Sequence, residues 1–188
     1  MKKDIFLLHG FNVKDGGVKT VGSLLEDFPS AKLVNYGWLG FLGTIFFNDN
    51  IAKIVATQIT DGCTIIGHSN AADIIYRMSQ LKSCPKIDRV ILIRPALDSD
   101  ISFGSNVDRV DVFFHENDRP VGFAKWIPFH NWGSMGESGY KGKDSNVFGH
   151  DEKSIFNDKE GGHSDVFKKT KHLFVPYLKN LLKIDKNS

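Results

Sequence analysis

In TIIGHSNAADII, residues 64–75, an apolar and β-branched run stops at Gly67-His68-Ser69-Asn70-Ala71. A helical apolar pattern then begins at once, with Ala71, Ile74, Ile75, Met78 and Leu81 on one face. This reads as a buried strand over Cys63–Ile66, a tight turn, and a helix. A serine sits at the apex between small residues, and its role depends on what the rest of the chain brings to it.

The same alternation extends in both directions. Upstream, Asp4–Leu8 and Ala31–Tyr36 read as strands. Val18, Val21, Leu24, Leu25 and Phe28 have helical spacing, and Ile51, Ile54, Val55 and Ile59 form a second helical face. Downstream, Arg89–Ile93, Val110–Phe114 and Val147-Phe148 supply three more strands. A last helix carries Leu173, Phe174, Tyr177, Leu178 and Leu181, with Pro176 kinking or restarting it. Strands that lack strict alternation and are separated by helices imply a parallel sheet covered on both faces. The expectation is an α/β protein, a three-layer α/β/α sandwich with a mostly parallel sheet of about six strands. Asp118 to Gly149 is the least regular region, read as a helix plus an ordered loop near the sheet's carboxyl edge, where ligands of open α/β sheets bind.

The 188 residues suit one domain over 1–188. With 41% hydrophobic and 24% charged residues the chain reads as an ordinary globular protein. A net charge of +2 gives no footprint for nucleic acid. The start MKKDIFLLHG lacks the run of about 7–15 apolar residues of a secretory signal, and no stretch reaches transmembrane length. The default is a cytoplasmic protein without stable membrane insertion. The lysine-rich C-terminal tail reads as a helix with a solvated face, and Cys63 and Cys84 as reduced structural thiols.

Small flanks, a preceding strand and a following helix are the setting of a nucleophile elbow, here with Gly67 and Ala71 at the outer positions. A serine hydroxyl needs an oriented histidine to remove its proton. His163, in Gly161-Gly162-His163-Ser164-Asp165 before the last helix, is the candidate base. Asp118, just past the strand VDVFF, is the candidate acid. His9-Gly10-Phe11-Asn12 follows the first strand, so the Phe11 N–H and the Asn70 N–H are candidate oxyanion donors. Losing one such donor typically costs about 3–4 kcal/mol of transition-state stabilisation.

Together LLHGF, GHSNA, HENDRPV and GGHSD, in that order from Leu7 to Asp165, resemble the α/β-hydrolase superfamily over most of the chain. The resemblance implies a minimal α/β-hydrolase fold, a triad of Ser69, Asp118 and His163, an oxyanion hole at Phe11 and Asn70, and no metal or organic cofactor. Two departures stand out. The chain opens directly on the HG strand, without the usual first hairpin. The interval from Pro95 to Val110 leaves little room for an inserted lid, which suggests an open site that works without interfacial activation.

Rivals remain at several positions. Asp98, after VILIRPAL, competes with Asp118 as the acid, and His150 and His130 compete with His163 as the base. His9 is expected to brace the oxyanion loop. His68 lines the pocket or packs beneath it. Asn12, Trp38 and Trp126, with Trp132, Phe41 and Phe129, are candidates for an apolar acyl or alcohol pocket. The glycines of WGSMGESGYKGKD do not match a phosphate-binding pattern. The expected activity is hydrolysis of a small-molecule carboxylic ester or thioester through an acyl-enzyme. An acyltransferase or amidase with the same residues, and a non-catalytic binding module, are the alternatives.

Overall fold

A computed structural model describes residues 3–10, 15–37, 41–118 and 132–184. Six strands form one sheet: β1 (Ile5–Leu8), β2 (Lys32–Val34), β3 (Cys63–His68), β4 (Ile87–Ile93), β5 (Val110–Phe114) and β6 (Val147–Asp151). Their order is β2-β1-β3-β4-β5-β6, and every neighbouring pair is parallel. The helices are α1 (Phe41–Ala56), α2 (Ala71–Ser79), α3 (Met135–Ser138), α4 (Glu152–Phe156) and α5 (Lys171–Ile184), with 3₁₀ turns at Val21–Glu26 and Asp165–Phe167. The expected α/β architecture is therefore present, and its sheet is wholly parallel.

Alternation along each strand divides the core. Phe6, Leu8, Ile65, Val90, Leu92 and Val112 face α1 and α2, whose Ile51, Val55, Ile74, Ile75 and Met78 complete one apolar cluster. Leu7, Ile66, Ile91, Ile93 and Phe113 face the other way, against Val21, Leu24, Phe174, Leu178 and Leu181. The chain leaves β1 for β2 on one side, then returns across β1 to β3 on the other. Right-handed crossovers then require coverings on opposite faces, as found. The reversal opens a crevice at the carboxyl ends of β1 and β3.

Three details differ from the sequence expectations. The segment read as a helix over Val18–Phe28 is a 3₁₀ turn confined to Val21–Glu26, and Val18 is exposed. Gly16 and Gly17, just before the segment, take φ of 65° and 88°, and the Gly17 carbonyl accepts from the Thr20 and Gly22 N–H groups at 3.0 and 2.8 Å. A Cβ on Gly22 would lie 2.8 Å from the Gly17 carbonyl, so the coil is too tight for a larger residue. On α1 the buried stripe is Ile51, Ala52, Val55 and Ala56, which leaves Ile54 exposed. On α5 Leu173 is exposed, and the helix continues through Pro176 as one element. The connection between β4 and β5, residues 94–109, contains no helix.

One buried ionic cluster interrupts the α5 face. Asp111 accepts from His150 Nε2 at 2.8 Å and pairs with Arg89 Nε at 3.0 Å. His150 Nδ1 meets the Tyr177 hydroxyl of α5 at 3.0 Å, and Arg89 Nη1 donates to the Leu181 carbonyl at 2.6 Å. Burial works against the Asp111 carboxylate, yet the His150 and Arg109 hydrogen bonds and the Arg89 charge hold its pKa below the usual range.

The two neighbouring residues of α5 test its seating. Phe174→Ala, which removes a fully buried ring, should cost about 3–5 kcal/mol and lower the urea midpoint. Leu173→Ala, on the exposed side, should stay within about 0.5 kcal/mol of the parent. Equal losses would show that α5 is seated differently.

Candidate active site

Ser69 follows β3 directly with φ of 57°, a left-handed conformation that side-chain-bearing residues avoid. The turn is tied to the end of β4 and to the segment just beyond it: the Ser69 N–H donates to the Ile93 carbonyl at 3.1 Å, and the Ser69 carbonyl accepts from the Ala96 N–H at 3.2 Å. The helix then folds back over the strand. A Cβ on Gly67 would stand 2.5 Å from Ile75 Cδ1 and 3.3 Å from the Ala71 Cβ. Gly67 thus carries the close approach, and the Ala71 methyl fits opposite it. A Cβ on Gly10 would lie 2.9 Å from the Ser69 Cβ, so the end of β1 is flush against the same turn.

His163 and Asp118 meet although 45 residues separate them. His163 Nδ1 lies 2.8 Å from Asp118 Oδ1 and 3.1 Å from Oδ2, and the carboxylate is fully buried. A carboxylate only accepts, so the Nδ1 proton is the shared one and the Nε2 lone pair remains available for another proton. Asp98 instead packs on Gly133, where a Cβ would lie 2.1 Å from its Oδ1. His150 is committed to Asp111 and Tyr177 on the far face. The structure thus brings Asp118 and His163 together, while Asp98 and His150 make other contacts. Among the described residues the Ser69 hydroxyl makes no hydrogen bond to His163. Such contacts often tighten only in the substrate complex.

His68 joins the turn to the histidine loop. Its Nε2 donates to the His163 carbonyl at 3.0 Å, and the two rings are 4.7 Å apart between centroids. Its other edge meets Phe167 at 5.0 Å. His68 is buried, so it packs beneath the site. Burial, then the nearby His163 and Arg94, push its pKa down to about 3 and keep it neutral.

His9 is also buried, with Nδ1 donating to the Gly10 carbonyl at 2.8 Å and its ring stacked on Tyr36 at 4.2 Å. The Tyr36 hydroxyl donates to the His9 carbonyl. Burial lowers the His9 pKa, with the Gly10 hydrogen bond and Asp15 acting against it. These contacts fit a brace for the loop that follows.

Asn70 starts α2, and its buried side chain belongs to a network that sequence patterns do not reveal. Its Oδ1 accepts from Asn48 Nδ2 at 3.1 Å and Trp132 Nε1 at 2.9 Å, and Asn48 also donates to Asp73 at 2.6 Å. Trp132 thus braces the turn instead of lining an open pocket. Phe11, Asn12, Trp38, Trp126, Phe129 and His130 lie outside the described residues, as does the Phe41 side chain. Among the described residues there is no cluster of three or more His, Cys, Asp or Glu able to hold a metal ion, and no helix long and apolar enough to cross a membrane.

Neutral His68 has a consequence for stability. Its folded pKa lies far below the ordinary value of 6.5, so the unfolded chain takes up a proton first as pH falls. The contribution is complete above about 6.5 and is lost progressively toward about 3. His68→Gln keeps a donor for the His163 carbonyl and does not titrate. The urea midpoint should therefore fall less between pH 7 and pH 4.5 in this variant than in the parent. An unchanged fall would remove His68 from the account.

No protein-family model matches the sequence, and no curated protein matches it either. Solved structures do. Aspergillus fumigatus lipase B superposes with a TM-score of 0.55 at 16% identity, over 88% of this chain and 49% of the lipase, so the chain spans about half of that enzyme. The B. subtilis ydeN gene product gives 0.54 at 14% identity, covering 100% of both chains. The esterase RhEst1 from Rhodococcus gives 0.54 at 10% identity, over 96% of this chain and 90% of the esterase. With its parallel six-stranded sheet and the sharp turn after β3, the chain has the α/β-hydrolase fold.

Proposed function

We propose that the chain is a serine hydrolase that cleaves a carboxylic ester or thioester through an acyl-enzyme. The observation that carries this reading is the buried Asp118 carboxylate on His163 Nδ1, on a loop that His68, the residue before Ser69, holds through the His163 carbonyl. The esterase and lipase among its structural neighbours are in keeping with it.

Ser69 Oγ attacks the substrate carbonyl carbon while His163 Nε2 takes the hydroxyl proton. Asp118 holds the imidazole in the Nδ1–H tautomer and stabilises the imidazolium. The developing oxyanion is received by the Asn70 N–H at the start of α2, where the helix dipole also favours negative charge, and by the Phe11 N–H. The tetrahedral adduct collapses, the C–O or C–S bond breaks, and the imidazolium returns its proton to the leaving group. His163 then removes a proton from water, which attacks the acyl carbon and frees Ser69.

Turnover of an activated ester tests the assignment. Ser69→Ala should abolish it. Asp118→Asn should lower kcat by roughly ten-thousand-fold, because the amide favours the wrong histidine tautomer. Wild-type rates in either folded variant would refute the triad.

A further inference from the structure

Arg94 directly follows β4, fully buried, with a left-handed backbone at φ of 48°. Its Nε and Nη2 donate to the two oxygens of Glu152 at 2.8 and 2.5 Å. Its Nη1 donates to the carbonyls of Gly161 and Gly162, both at 3.2 Å. Those are the two residues that lead into His163. One guanidinium thus grips the histidine loop on one side and a buried carboxylate on the other.

The loop has no slack behind it. Gly161 has φ of 59°, and a Cβ there would lie 2.1 Å from His115 Nδ1. His115 is itself fixed, with Nε2 donating to the Asp158 carbonyl and Nδ1 accepting the Asn117 N–H, each at 3.0 Å. On the far side, Asp165 accepts the Gly162 N–H at 2.8 Å and pairs with Lys169 at 3.4 Å.

Charge is balanced in the same place. Among the described residues, Asp118 is bonded to the His163 ring, His68 to its carbonyl, Arg94 to the two glycines before it, and Glu152 to Arg94. His115, Asp158, Asp165 and Lys169 form the next ring. The Arg94 charge reaches both His68 and Asp118. Without Glu152, a guanidinium bonded to the residue next to His163 would lose its balancing charge.

We propose that Arg94, held by Glu152, is a positioning residue for His163: its fork fixes the loop that carries the imidazole, and Glu152 cancels the charge that would oppose its protonation. This rests on His163 acting as the base described above.

Two variants separate the geometric and electrostatic parts. Glu152→Gln removes the balancing charge. The His163 ring titration, followed by NMR and assigned by its loss in His163→Gln, should move to lower pH, as should the acid limb of kcat/KM. Arg94→Lys keeps the charge but cannot span both glycine carbonyls and the carboxylate. Its titration should stay near that of the parent while kcat falls about tenfold or more at little-changed KM. An unmoved titration in folded Glu152→Gln, or parental kcat in folded Arg94→Lys, would overturn the proposal, and either variant decides alone if the other does not fold. The titration needs no turnover, so a failure of the hydrolase reading would leave this measurement standing.

Discussion

The left-handed backbone at Ser69 is the constraint on which the rest depends. A residue with a side chain occupies that region at a cost of about 1–2 kcal/mol, so the surroundings must hold it there. The last residue of β4, Ile93, and Ala96 just beyond it do so with two backbone hydrogen bonds. Gly67 and Gly10 do so by their lack of side chains, which lets α2 and the end of β1 close on the turn. The buried Asn48–Asn70–Trp132 contacts anchor the first residue beyond it. A loosely packed strand-to-helix junction would relax and aim the hydroxyl elsewhere.

Around that point the protein places charge where water cannot screen it. Asp118, Arg94 and Glu152 are all fully buried, and each is paired. Unpaired, any of them would cost several kcal/mol, so the pairs also lock the four chain segments that carry them. The loop after β5, the end of β4, the start of α4 and the His163 loop are joined through these side chains. Neutral His68 links the same loop back to the serine turn. The proposed triad and the fold's polar interior thus share the same side chains.

What could be read from sequence was local. The strand-turn-helix at residues 64–75 declares itself because small residues and a change of period fall within a dozen positions. Asp118 stands out because it lies just past the end of a strand, and His163 because glycines precede it ahead of the final helix. Helix faces were less legible: Ile54 and Leu173 fit an apolar spacing but fall outside the buried stripes. The Val18–Phe28 pattern failed for a different reason, since Gly22 closes on the Gly17 carbonyl in a coil with no room for a side chain there. Arg94 and Glu152 could not be paired from sequence, because 58 residues separate them and the sheet alone brings them together. The same is true of Asn48 and Asn70, whose contact depends on how α1 lies against α2.

The central claim is that Ser69 is activated by its surroundings, and reaction with a fluorophosphonate tests it most directly. The reagent should label the folded protein at a single site, mapped by peptide mass spectrometry to Ser69, and Ser69→Ala should not label. Folded parent protein that stays unlabelled, or that labels elsewhere, would contradict the account and leave the turn after β3 a structural feature.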